Sequence, residues 1–132
     1  MMPHVDDATC HVFVYGTLRR GGLNDISRYQ PAPVFVGAAV IAGTLLDLET
    51  YPGVVLGGAG RVHGEVYRIT SAVESALDVL EEVEPHGCGE YLRREVRLQV
   101  AGVWVTCLVY ELHPSRAAGL NAIASGDWLA PR

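Results

Sequence analysis

The sequence predicts an α+β domain built on a curved sheet or small barrel. Three observations carry this. Short apolar or alternating runs recur along the chain, glycines interrupt the longest of them, and a single segment switches clearly to helical periodicity. The 132 residues fit one domain, expected to span 1–132 with a core at about 10–112. A hydrophobic content of 49% against 19% charged residues suits a packed interior and argues against disorder.

The first element is Cys10-His11-Val12-Phe13-Val14, a β-branched and aromatic run that reads as a buried strand. It leads into Tyr15-Gly16-Thr17-Leu18. A glycine there lets the backbone turn sharply and lets another group approach the main chain closely. Successive N–H groups in such a turn form a concave nest for an anion, although the motif alone also fits an ordinary strand-ending turn. Arg19 to Asp25, with Gly21-Gly22 and Asn24-Asp25, marks a loop. A short irregular or helical piece follows around Ile26 to Gln30, closed by Pro31 and Pro33. Val34 to Leu48 is almost wholly apolar but broken by Gly37 and Gly43, which predicts two short strands or one bent strand with a bulge.

Tyr51-Pro52-Gly53 signals a turn, and Val54-Val55-Leu56 a brief strand before a Gly57–Gly60 loop. Arg61 to Ile69 alternates polar and apolar residues as a half-buried strand does. The period then changes. Thr70 or Ser71 caps a helix, Glu74 stands in capping-box register with Ser71, and Val73, Ala76, Leu77 and Leu80 form its apolar stripe. Glu81 to Gly89 contains Pro85 and two glycines and reads as a loop. Tyr91–Val100 and Val103–Leu112 form a hairpin across Ala101-Gly102. The tail, Pro114 to Arg132, is expected to carry a short helix around 115–124.

Charge and cysteine usage narrow the function. Ten basic and 15 acidic residues give a net charge of −5, which argues against binding a nucleic-acid backbone. Every basic residue is Arg, so no lysine is available for Schiff-base or lysine-nucleophile chemistry. Cys10, Cys88 and Cys107 are odd in number and form no Cys-x-x-Cys, against a disulfide scaffold or a zinc site. Cys10 and Cys107 read as buried and Cys88 as a loop thiol. His4, His11, His63, His86 and His113 show no metal-ligand spacing. No signal-peptide pattern is visible at the N-terminus and no stretch approaches a membrane span, so a cytoplasmic location and no membrane partner are expected.

Three features in order carry a resemblance. They are Val14-Tyr15-Gly16-Thr17-Leu18-Arg19-Arg20-Gly21 with Asn24, then Gly64-Glu65-Val66-Tyr67, then Leu77-Asp78-Val79-Leu80-Glu81 followed by Tyr91-Leu92-Arg93-Arg94. Together, over about residues 11–110, they resemble the γ-glutamylcyclotransferase-like family, which includes γ-glutamylamine cyclotransferases and avirulence-induced proteins. The resemblance implies a small mixed β-barrel with flanking short helices. It implies a loop, here Tyr15 to Leu18, that holds a γ-glutamyl group by its α-carboxylate, and a general acid/base glutamate at Glu81. It implies a small-molecule γ-glutamyl substrate and no metal or organic cofactor. The reaction, of transferase or lyase type, is an attack of the substrate's own α-amine on its γ-carbonyl, which closes 5-oxoproline and expels an amine or amino acid.

The residue types suit that chemistry. An α-ammonium cannot attack until it loses a proton, and one carboxylate can take that proton and return it to the leaving amine. Glu81 lies four residues after Leu77 near the helix end, and Glu82 is its rival by one step of register. Tyr15 is a candidate to line the pocket, Thr17 to stiffen the turn, Asn24 to lock the loop and Tyr91 to close over the ligand. Arg19 and Arg20 are either ligand contacts or solvated, and Glu65 is read as structural or outward-facing. Two rivals stay open: a non-catalytic module of the same fold that binds a small carboxylate, and a γ-glutamyl amide hydrolase. The sequence specifies no oligomeric state and no leaving group.

Overall fold

A computed structural model describes residues 9–81 and 90–131. In chain order it contains β1 (Thr9–Val14), a 3₁₀ turn (Ile26–Arg28), β2 (Val34–Asp47), β3 (Pro52–Thr70), α1 (Ser71–Leu80), β4 (Tyr91–Val100), β5 (Val103–Leu112), a second 3₁₀ turn (Pro114–Arg116) and β6 (Asn121–Ala122). The strands form one sheet in the order β4-β5-β1-β3-β2-β6. β1 runs parallel to β5 and antiparallel to β3. β5 meets β3 again where Glu111 faces Val54, so the mixed sheet curls into a half-barrel.

β1 is apolar at successive positions because it is buried on both faces. Val12 and Val14 pack with Val73 and Leu77 of α1. Phe13 and Tyr15 pack on the other side with Val54, Val66 and Val109. The helix is fixed by the same core. Thr70 is its N-cap, its hydroxyl accepting from Val73 N at 3.3 Å, one residue ahead of the expected Ser71–Glu74 box. Val73 and Leu77 are fully buried, each contributing about 1.5–3 kcal/mol of hydrophobic stabilisation.

Val34 to Asp47 is one bent strand rather than two. Its partner throughout is β3. Ala42 pairs with Arg61 and Gly43 with Leu56, so residues 57–60 protrude between two halves of a single strand. The hairpin is as expected. Tyr91 faces Leu112, Val100 faces Val103, and Ala101 and Gly102 both take positive φ, the turn whose twist matches the flanking strands.

The expected helix over 115–124 does not form. The chain makes only the turn at Pro114–Arg116, then joins the sheet as β6 beside Leu46 and Asp47. The tail's backbone bonds go to neighbouring strands: Ile123 N donates to Leu45 O at 2.7 Å, and Gly126 O accepts from His63 N at 2.8 Å. Such long-range partners outweigh local helical preference. Among the described residues no helix is long and apolar enough to cross a membrane.

Candidate active site

The turn after β1 and the end of α1 border one cavity of about 240 Å³. Tyr15, Gly16, Thr17, Leu18 and Asn24 line it from the first element, Leu80 and Glu81 from the second, and Tyr91 from β4. Phe13, Val14, Leu23, Thr50, Tyr51, Pro52, Glu90 and Tyr110 complete the lining. Every residue expected at the site is therefore in one place. The rival Glu82 lies outside the described residues, as does Cys88.

The loop folds on itself through its carbonyls. Gly16 O accepts from Arg19 N at 3.0 Å, Thr17 O from Asn24 N at 2.8 Å, and Leu18 O from Ile26 N at 2.9 Å. Asn24 also donates from Nδ2 to Thr17 Oγ1 at 3.1 Å and accepts from Arg28 Nη1 at 3.0 Å. None of the turn and loop backbone hydrogen bonds between described residues uses the N–H of Gly16, Thr17 or Leu18. Backbone donors normally find a partner, and consecutive N–H groups on a cavity wall have the chemistry to take an acceptor. Gly16 is required where it stands, since a Cβ there would lie 2.7 Å from Pro52 Cγ.

Tyrosines build much of the remaining wall, and their hydroxyls are engaged inside the protein. Tyr15 donates to Tyr110 O at 2.7 Å and accepts from Val54 N at 3.2 Å. Tyr91 donates to Pro52 O at 2.7 Å, Tyr110 to Asp78 Oδ1 at 2.7 Å, and Tyr51 to Glu90 Oε2 at 2.7 Å. Tyr15 thus offers its ring, and Tyr91, expected to close over the ligand, is a buried wall residue. Burial pushes the Tyr15 hydroxyl well above its ordinary pKa, and the Glu81 charge adds to the push. Burial also raises Tyr91, with Tyr15 and Glu81 adding to it. It raises Tyr110, together with the bond to Asp78. These phenols stay protonated near neutrality, which leaves Glu81 and Glu90 as the carboxylates among the described lining residues.

Glu81 directly follows α1, and its N–H bonds Leu77 O at 2.9 Å. The helix end is tied down from β4 and β5. Arg93 Nη1 donates to Asp78 Oδ2 at 2.6 Å, Arg93 Nη2 bonds Glu74, and Tyr110 holds the other Asp78 oxygen. Neither Arg19 nor Arg20 lines the cavity. Arg19 pairs with Glu65 and Asp127, and Arg20 lies over the Phe35 ring at 4.3 Å. Glu65 is structural and buried.

Comparison with known proteins shows the family and the fold. The family model described as gamma-glutamyl cyclotransferase, AIG2-like, matches residues 12–130. The chain belongs to this family. The gamma-glutamylcyclotransferase family protein YtfP of Escherichia coli K12 is 39% identical over 119 residues, covering 89% of this chain and 95% of YtfP. The solution structure of Escherichia coli ytfP matches with a TM-score of 0.60 at 37% identity, covering 90% of this chain and 96% of that one. An AIG2-like protein of Mus musculus matches with a TM-score of 0.69 at 27% identity, covering 94% and 97%. The family shares the α+β half-barrel, and its name supports an enzyme of cyclotransferase type acting on a small molecule.

Sequence reasoning missed Glu90, Tyr51 and Tyr110 of this family member. Glu90 directly precedes the singled-out Tyr91, and Tyr51 stood only as part of a turn signal. Tyr110 carried no local signal at all. Among the described residues no three His, Cys, Asp or Glu side chains group as metal ligands.

Proposed function

We propose that this protein is a cyclotransferase that releases 5-oxoproline from a γ-glutamyl amine or amino-acid conjugate, with Glu81 as general acid/base. One observation carries the reading: Glu81 and the Tyr15–Leu18 loop border the same cavity. The substrate's α-carboxylate is held by amides of Gly16 to Leu18, an acceptor matched to a row of donors. The α-ammonium gives its proton to Glu81. The freed amine attacks the γ-carbonyl, the new N–C bond closes a five-membered lactam, and the old C–N bond breaks. Glu81 returns that proton to the leaving nitrogen and relays the second proton that the attacking nitrogen sheds on becoming the lactam N–H, so the amine leaves as an ammonium and no water is consumed. Because nucleophile and electrophile belong to one molecule, the protein's main task is to fold the substrate into a near-attack shape.

The decisive experiment is a screen of γ-glutamyl conjugates with 5-oxoproline detection, run beside Glu81→Gln. General acid/base catalysis is worth about 10²–10⁴-fold, so the variant should lose that much turnover while keeping its thermal midpoint. Undiminished turnover removes Glu81 from the mechanism. Thermal stabilisation by a γ-glutamyl compound without any product would instead favour the binding-module reading. Free glutamate as product would favour the hydrolase.

A further inference from the structure

We infer that Glu65 is a positioning residue for this cavity, acting through Arg19 and Asp127 to fix the loop that carries the Gly16–Leu18 amides. The inference rests on the reading above, in which that loop holds the substrate carboxylate.

Glu65 stands on β3 opposite Val14, the last residue of β1 before the loop. One of its oxygens accepts from Arg19 Nε at 3.1 Å. The other accepts from Arg20 N at 2.9 Å and from Tyr67 OH at 3.0 Å. Arg19 reaches on to Asp127 Oδ1 at 2.6 Å. Asp127 is itself fixed, since Leu129 N donates to the same oxygen and Asp127 N donates to Ser125 Oγ. The loop is thus gripped from beneath by β3 and from the side by the C-terminal segment. The side chains of Arg19 and Glu65 are only 13% and 11% exposed.

A buried ion pair adds little net stability compared with well-packed apolar side chains. Its use here points to conformational specificity. Neither Glu65 nor Arg19 lines the cavity, so neither touches what the cavity holds. Arg19 nonetheless donates its own N–H to Gly16 O, which transmits the grip to the peptide bearing the first of the Thr17 and Leu18 donors.

Glu65→Gln keeps the side chain's size and an acceptor for Arg20 N but removes the charge facing Arg19. Displacing a positioning element costs about tenfold to a hundredfold in efficiency. That loss should fall on KM for a γ-glutamyl conjugate, with kcat and its pH profile retained, because carboxylate binding is common to ground and transition states. Glu111→Gln is the control. Glu111 is as buried as Glu65 but bonds Leu56 N and Arg94, so this variant should lose thermal stability without raising KM. If Glu65→Gln does not fold, Arg19→Lys breaks the same fork while keeping the charge, with the same rise in KM expected.

Amide hydrogen exchange over residues 15–24 of the ligand-free protein supplies a readout that needs no turnover. Exchange should quicken in Glu65→Gln or Arg19→Lys and stay at the wild-type rate in Glu111→Gln. Unchanged exchange, or an unchanged KM in a folded variant, overturns the proposal. Absence of 5-oxoproline from wild-type protein with quickened exchange in the variant would instead overturn the substrate reading and leave the grip on the loop standing.

Discussion

The two elements that meet at the cavity are held in opposite ways. The loop after β1 is fixed by its own carbonyl bonds and by a largely buried ionic cluster of Glu65, Arg19 and Asp127. The end of α1 is fixed by two fully buried aliphatic side chains and by Arg93, whose side chain is 38% exposed. Charge does the precise work at the loop, and apolar burial does the coarse work at the helix. The loop sinks Leu18 and Ile26 into the same core, but the irregular backbone between them takes its conformation from directional bonds. A helix arrives already hydrogen-bonded and needs mainly a face to dock.

The largest test of this contrast is Leu77→Ala. Removing a fully buried leucine should cost about 2–5 kcal/mol and loosen the helix from β1, as measured by denaturant unfolding. Gly16→Ala should come next. Its new methyl would press on Pro52, with an overpacking cost of about 1–3 kcal/mol, and the loss of γ-glutamyl turnover should exceed what that destabilisation explains. An unchanged turnover in Gly16→Ala would show that the loop does not need its close approach to Pro52.

A smaller effect is expected at Asp127, and it depends on pH. Burial alone would raise this carboxyl, but its bond to Arg19 and the charge of that guanidinium win and lower its pKa. A carboxyl lowered on folding stabilises the protein above the unfolded value of about 3.9, and that stabilisation is lost as pH falls through the folded value. Asp127→Asn should therefore melt below wild type at neutral pH, and the two melting curves should converge under acid conditions. Parallel curves across that range would remove the ionic contribution. Arg93→Ala should be the mildest change, on the order of 0.2–1 kcal/mol, as befits exposed pairs. A cost matching that of Leu77→Ala would reverse the contrast between the two elements.

Much of this was legible in the sequence where one residue type meets one requirement. β1 stood out because Val12, Phe13 and Val14 are apolar in succession, as burial on both faces requires. The β4–β5 hairpin stood out because Ala101-Gly102 suits a turn with two positive φ angles. The loop and Glu81 were legible as separate motifs joined by a family resemblance. What could not be read depends on partners distant along the chain. β3 looked like two strands because residues 57–60 loop out while β2 continues past them. The tail looked helical because its bonds to Leu45 and His63 are invisible locally. Tyr110 and Tyr51 join the cavity only through the curl of the sheet, and Arg19 found its role only once Asp127 came alongside.

The inward-turned phenols have a practical consequence. Several aromatic chromophores surround one small hollow, each with its oxygen tied to protein rather than to water. Displacement of solvent from that hollow alters the polarity at the ring faces together. Near-ultraviolet absorbance and circular dichroism of the native protein then report occupancy directly, without a label and without a reaction.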